Sequence, residues 1–384
     1  MLKCKIQVLI FNTISINDIT KSRKSQGESM NLHYNTDLWH YLQSTDKTIV
    51  MYGMGNGADK ILAVCEHYGI EVSDFFASDG FVRGHSFHGK TVLSYSAVKE
   101  KYGAENIIVL LSFASSLPDV LELFYNVSSE CEMYAPDVPV CGDNLFCIEF
   151  FNKNREKFEA VYELLADDES RQIYENVIAY KLTGDISYLR AAESSKDEVY
   201  RELLHAEDIR TYADLGAYNG DTVRELMQYA PALETAYALE PDRRSFRKLD
   251  TFASDCTSVK VKPYHVAAWD KEETLVFADS GNRNSGAFSK GKQIEVCASS
   301  LDNILGGARV DYIKYDVEGA EKEALIGSYA TIRAHHPRLL VSVYHRSEDM
   351  FALPLQIKAA EPSYKLYLRR YPYVPAWDLN LICI

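Results

Sequence analysis

Polar residues able to do chemistry gather at the ends of three apolar runs in this chain. In TYADLGAYNGD, residues 211–221, a strand pattern carrying Asp214 runs into Gly216, Ala217 and Gly220, and a helical pattern begins at Thr222. Glu240 closes the next apolar run, TAYALE, twenty residues beyond Gly220. This is the layout of a nucleotide-binding βαβ unit. Glycines allow close backbone approach, the helix N-terminus favours an anionic group, and a carboxylate at the second strand tip accepts hydrogen bonds from ribose hydroxyls. The third run is IKYDVEGAE at 313–321. Strand alternation puts Lys314 and Asp316 on one face, and Asp316 stands at the carboxyl end, where open α/β sheets bind ligands.

Glu318 and Glu321 follow at a helix start, where the dipole favours carboxylates. A cap-and-dipole role suffices for Glu321, whereas Glu318 reads equally as a cap and as a site residue. His345 ends VSVYHR, beside the place where Asp316 should emerge. It suits a general base for an alcohol, and equally a hydrogen-bonded structural histidine. Asp316, Glu318 and His345 would also suit a divalent metal, on a spacing that is not diagnostic. In VKPYHVAAWD, 261–270, the small Ala267 and Ala268 leave room for a flat ring that Trp269 and Asp270 could contact, while His265 reads as a core histidine.

These residues carry a resemblance. Asp214, Gly216, Ala217, Gly220, Glu240, Ala267, Ala268 and above all IKYDVEGAE resemble S-adenosylmethionine-dependent methyltransferases of the FkbM type, over roughly 205–384. The resemblance implies S-adenosyl-L-methionine as cofactor and an oxygen nucleophile on a sugar, glycan or secondary metabolite as acceptor. On such a donor, Glu240 would anchor the ribose and Asp214 the amino group, directly or through water. Gly216, Ala217 and Gly220 would line the close approach, with Ala267 and Ala268 beside the adenine. Asp316 would face the transferred methyl, with His345 as base.

The elements that must position these groups alternate strand and helix. Strands are expected near 210–215, 235–239, 258–266, 311–315 and 339–344. KLYLRRY and LNLICI close the chain with no helix between them, so they should pair antiparallel. The predicted fold is α/β: a doubly wound, mostly parallel sheet with an antiparallel C-terminal hairpin, of the class I methyltransferase kind, spanning 206–384. Before it, 46–145 reads as a smaller Rossmann-like domain. TIVMYG leads into Gly53, Gly55 and Ala58, and Asp79 stands twenty-one residues past Ala58. Such a module either binds a nucleotide or nucleotide sugar or docks with its pocket empty. Residues 146–205 are helical in period and read as a connector, with Asp167, Asp168 and Glu169 as a solvated helix end. Residues 1–45 read as a partly disordered extension.

Composition narrows the partners. At 384 residues and 47% hydrophobic content the chain can bury two cores. A net charge of −14 repels phosphate backbones and anionic lipid, which argues against nucleic acid. The eight cysteines form no C-x-x-C pair and no zinc spacing. Cys65, Cys297 and Cys383 lie in apolar runs and should behave as small core hydrophobes. No stretch reaches membrane-spanning length, so a reduced cytoplasmic protein is expected. Two rivals stay open: an NAD(P)-dependent or nucleotide-sugar-binding protein acting through 48–145, and a non-catalytic scaffold that keeps the methyltransferase fold.

Overall fold

The computed structural model describes residues 30, 32–279 and 292–384. Most of the expected extension therefore lies outside the described residues. The described part of 30–45 is folded: Met30 and Leu32 are buried, and α1 (Leu38–Ser44), capped by Asp37, buries Leu38, Trp39 and Leu42 against the first sheet.

Apolar runs buried on both faces make that sheet parallel. Its strands are β1 (Thr48–Tyr52), β2 (Asp74–Ala77), β3 (Leu93–Ser94), β4 (Ile107–Leu111) and β5 (Glu132–Tyr134), in the order β3-β2-β1-β4-β5. Between β1 and β2 runs α2 (Asn56–Tyr68); α3 (Tyr95–Tyr102) and α4 (Pro118–Glu130) complete the layers. Two long helices follow, α5 (Ile148–Leu164) and α6 (Asp168–Thr183). Phe151, Phe158, Val161, Ile173 and Val177 recur at helical spacing and are all buried. They belong to one core that also holds Val109 and Leu111 of β4 and Val343, Phe351 and Leu366 of the C-terminal part. The acids at the α6 start are not merely solvated. Asp167 caps the helix and, with Glu169, pairs with the buried Arg369.

The second sheet has seven strands. These are β6 (Thr211–Leu215), β7 (Thr235–Leu239), β8 (Lys260–Tyr264), β12 (Tyr312–Tyr315), β13 (Arg338–Ser342), β14 (Leu366–Arg370) and β15 (Leu379–Cys383). Their order is β8-β7-β6-β12-β13-β15-β14, parallel except for the last two. Helices α7 (Asp221–Tyr229), α8 (Arg243–Asp255), α9 (Glu321–Ile326) and α10 (Asp349–Ala360) make the crossovers. The expected doubly wound sheet with an antiparallel edge is therefore present. A separate small sheet was not foreseen. In it β9 (Ala267–Ala268) and β10 (Glu273–Asp279) flank β11 (Lys292–Ser299). Cys297 is exposed there, because strand alternation buries Val296 and Ala298 instead. No helix among the described residues is long and apolar enough to cross a membrane.

Candidate active site

The order in which successive strands are added reverses between the parallel neighbours β6 and β12, which opens a crevice at their carboxyl ends. Asp214 of β6 lies directly beside Lys314 of β12. Gly216 (φ +88°) follows, and a Cβ there would collide with the Asp316 carbonyl, so only glycine lets the two strand tips come this close. Ala217 is buried, and its N–H donates to the Leu239 carbonyl. Gly220 begins α7, and a side chain on it would meet Phe252 of α8. The loop's glycines thus serve protein packing as much as ligand approach.

Glu240 is buried at the tip of β7 and ties the crevice together. Its Oε2 accepts from the Tyr218 N–H at 2.8 Å and its Oε1 from the Asp242 N–H at 2.7 Å. Burial lifts its pKa to about 7, against the lowering effect of these two hydrogen bonds. Asp214 is fully buried. Its Oδ2 accepts from the Thr222 hydroxyl, while its Oδ1 has no partner. An orphaned buried carboxylate oxygen is costly unless a ligand donates to it. Burial raises the pKa of Asp214, and Lys314 opposes the rise.

Ala267 and Ala268 are buried, but they pair with Ala298 and Ser299 of the small sheet and do not extend the third parallel strand. Trp269 donates through Nε1 to Glu273, and Asp270 is exposed. His265, expected in the core, is exposed. It stacks on Phe246 and contacts the Pro241 carbonyl.

The third group of residues converges. Asp316 accepts from Lys314 (3.1 Å), Ser342 (3.0 Å) and Tyr344 (3.2 Å). Burial works against its charge, but Lys314 and His345 hold its pKa below the usual carboxylate range. Glu321 is not a simple cap. Its Oε1 accepts from the Val317 N–H at 2.9 Å and lies 2.9 Å from His345 Nδ1, off the axis of the ring N–H. His345 is 1% exposed, with Nε2 at 3.6 Å from both Asp316 and Glu318. Burial opposes its charge, yet Glu321, Glu318 and Asp316 together lift its pKa to about 10. At neutral pH the ring is an imidazolium, which does not accept a proton. Asp316, Glu321 and His345 present ligand atoms within 4.8 Å of one another. Lys314 and the imidazolium already neutralise this set, and we assign no metal to it.

Sequence reasoning missed the cover over this cluster. Cys141, in the segment joining the first sheet to α5, donates its thiol to the Glu318 carbonyl, and its N–H donates to the His345 carbonyl at 2.9 Å. Lys60 of α2 holds the same segment through the Pro139 and Val140 carbonyls. Only partners some 80 to 200 positions away reveal these roles. In the first sheet, Phe113 packs against Gly53, and a Cβ on Gly57 would strike the Ser112 carbonyl. Asp79 caps α3 through Ser96. Gly53, Gly57 and Asp79 of the motif that reads as a nucleotide site or as an empty module are thus engaged by protein groups, while Gly55 has open space around it. His88 pairs with Asp59 on the surface.

This strand order, with its crevice at the topological switch, is a methyltransferase fold. Residues 214–370 match the model of the methyltransferase FkbM domain. A crystal structure of methyltransferase FkbM from Methylobacillus flagellatus KT superposes with a TM-score of 0.69, covering 90% of this chain and 92% of that one. At 19% identity the likeness is one of fold, and it extends beyond the matched domain. An rRNA methylase from Streptococcus thermophilus (TM-score 0.32, 12% identity, 47% of this chain and 90% of that chain) is too distant to argue from. So is fibrillarin from Aeropyrum pernix with natively bound S-adenosyl-L-methionine (TM-score 0.30, 12% identity, 47% and 68%). No curated protein sequence matches the chain.

Proposed function

We propose that the chain is an S-adenosylmethionine-dependent O-methyltransferase acting on a hydroxyl of a sugar, glycan or secondary metabolite. One observation carries the donor assignment: Asp214 presents an unpartnered, fully buried oxygen beneath the loop that Glu240 closes. A donor ammonium would satisfy Asp214. Glu240 keeps lone pairs for ribose hydroxyls beyond the two it gives to backbone N–H groups. When bound, the donor supplies an electrophilic methyl on a sulfonium. The carboxylates at 214 and 240 give the donor end of the crevice the sign that suits this cation. Holding an acceptor in line can supply roughly 7–11 kcal/mol of the barrier. The segment around Cys141 would form the acceptor-side wall, which gives the N-terminal module a structural task without a nucleotide of its own. The cysteines among the described residues are all free, which supports a reducing compartment.

Calorimetric titration with S-adenosylmethionine, its demethylated product and NAD(P) tests the cofactor. Radiolabelled donor with a panel of glycans and sugars tests the acceptor class. Stabilisation by NAD(P) alone would overturn the proposal.

A further inference from the structure

We propose that Glu318 is the catalytic base, the group that takes the acceptor's proton as the methyl is transferred; this rests on the methyltransferase reading above. The hydrogen bonding around the cluster singles it out. Both oxygens of Asp316 are occupied by Lys314, Ser342 and Tyr344. Glu321 is occupied by the Val317 N–H and His345 and is 1% exposed. Among the described residues the Glu318 carboxylate accepts no hydrogen bond, and its side chain is 37% exposed. Asp316, at 32% exposed, also meets the crevice, but its oxygens are already taken, whereas Glu321 and His345 face inward.

The backbone places it there deliberately. Glu318 adopts φ +53° and Gly319 φ +92°, a left-handed pair that turns the chain away from β12 and swings the side chain outward. Such a conformation is unfavourable for glutamate and persists only where its surroundings enforce it. Three contacts do so: the Cys141 thiol on the Glu318 carbonyl, Arg346 Nη2 on the Gly319 carbonyl at 3.0 Å, and Glu321 on the Val317 N–H. Without that turn, the carboxylate would not sit 3.6 Å from His345 Nε2.

The titratable groups facing it are Tyr344 and His345 after β13, Lys314 on β12 and Asp316 just past its end, Glu321 on α9, and Cys141. Burial dominates and lifts the Glu318 pKa to about 7, with Asp316 and Glu321 adding to the rise and His345 and Lys314 opposing it. A base with that affinity is half-ionised at neutral pH and still strong enough to accept a proton. In the step, the acceptor oxygen forms its bond to the methyl carbon while the carbon–sulfur bond breaks. The sulfur keeps that electron pair and leaves as a neutral thioether, and the acceptor O–H proton passes to a Glu318 oxygen. His345, held by Glu321, is a positioning residue: its imidazolium steadies the Glu318 carboxylate.

The test uses the full chain and the variants E318Q, E318D and H345Q. Calorimetry with S-adenosylmethionine should give affinities within about twofold of wild type for E318Q. On any glycan that the wild type methylates, E318Q should lower kcat by about 10²–10⁴ with little change in KM, and E318D should restore part of it. A second readout needs no acceptor. In protein labelled with ¹³C at glutamate carboxyls, the infrared band missing from E318Q should titrate near pH 7 in wild type and higher in H345Q. An unchanged kcat in E318Q, or a Glu318 band titrating near pH 4.5, would overturn the proposal. If the wild type neither binds the donor nor transfers a methyl, the reading of function fails, while the infrared titration still decides whether Glu318 is a base poised near neutrality.

Discussion

Cys141 Sγ lies 3.2 Å from the Glu318 carbonyl, 177 residues further along the chain. This contact joins the N-terminal module to the turn that carries the most exposed carboxylate of the crevice. It continues on both sides. Lys60 holds the Cys141 segment from α2, and the Cys141 backbone reaches the His345 carbonyl. Gly319 has no room for a side chain that would not press on Cys141. The two α/β units therefore meet at the site itself, and the glycine-turn helix of the first serves as a buttress for the second.

Replacing Cys141 with alanine removes one hydrogen bond and the sulfur that packs on Gly319. A loss of about 1 kcal/mol in unfolding free energy is expected, typical of one internal hydrogen bond. Donor affinity should stay within twofold, because Asp214 and Glu240 are untouched. Methyl transfer should fall further than stability does, since a misplaced turn costs up to about 10²-fold in rate. Denaturant unfolding and radiolabel transfer, measured on the same preparation, check both statements. Equal turnover in C141A and wild type would remove the module from the site.

Gly216→Ala should be far worse. Its added methyl would strike the Asp316 carbonyl, a backbone atom that cannot move without parting β6 from β12. Positive φ adds strain, so a cost well above 1 kcal/mol is expected. Gly306→Ala is the control. It too has positive φ, but nothing lies within 4 Å of the added methyl, so only the conformational penalty of about 1 kcal/mol applies. The difference in thermal midpoint between the two variants measures the close approach of the strand tips.

Much of this architecture is legible in the sequence because its strands are apolar runs bounded by glycine, proline or charge. TYADL, TAYAL and LICI could be read as strands before any contact was known. Asp214, Glu240 and Asp316 were legible for the same reason: a carboxylate at the end of an apolar run has one geometric meaning in an open sheet. The small sheet was not, because Glu273–Asp279 is a short stretch with charged ends. Glu321 looked like a helix-start acid, since its partner His345 arrives only after another helix and strand. His265 reads as a core residue yet is exposed, because Phe246, the ring it stacks on, belongs to the preceding helix. What could not be read is what depends on pairs distant in sequence.

Glu240 should be needed for the donor and costly to the fold. Its replacement by alanine strips the partner from the Tyr218 and Asp242 N–H groups and, on the proposed reading, from the ribose of the donor. Each charge-assisted hydrogen bond is worth about 1.5–3 kcal/mol, so a loss of at least 10²-fold in donor affinity is expected. Calorimetry with S-adenosylmethionine measures it. Affinity close to wild type in E240A would exclude the ribose assignment.

The pKa values of the crevice also predict how stability responds to pH. Glu240 and Glu318 rise on folding from 4.5 to about 7, chiefly through burial. A raised carboxyl means that the folded state holds its proton more tightly. Their contribution is therefore fully present below about pH 4.5 and lost as pH rises through about 7. His345 rises from 6.5 to about 10, so its contribution is full below 6.5 and lost as pH climbs through 10. Both effects have one sign. The ligand-free protein should melt highest near pH 5 and progressively lower toward pH 9. Glu240→Gln cannot ionise and should flatten the limb between pH 4.5 and 7. Its Nε2 cannot accept from the Tyr218 or Asp242 N–H, so its stability should be lower throughout. The flattened pH slope, not the offset, reads the ionisation, and the variant should also bind the donor more weakly. Thermal melts of wild type and E240Q across pH 5–9, without donor, check this. A midpoint that rises with pH in the wild type would show that the carboxylate at 240 is not held in a desolvated crevice.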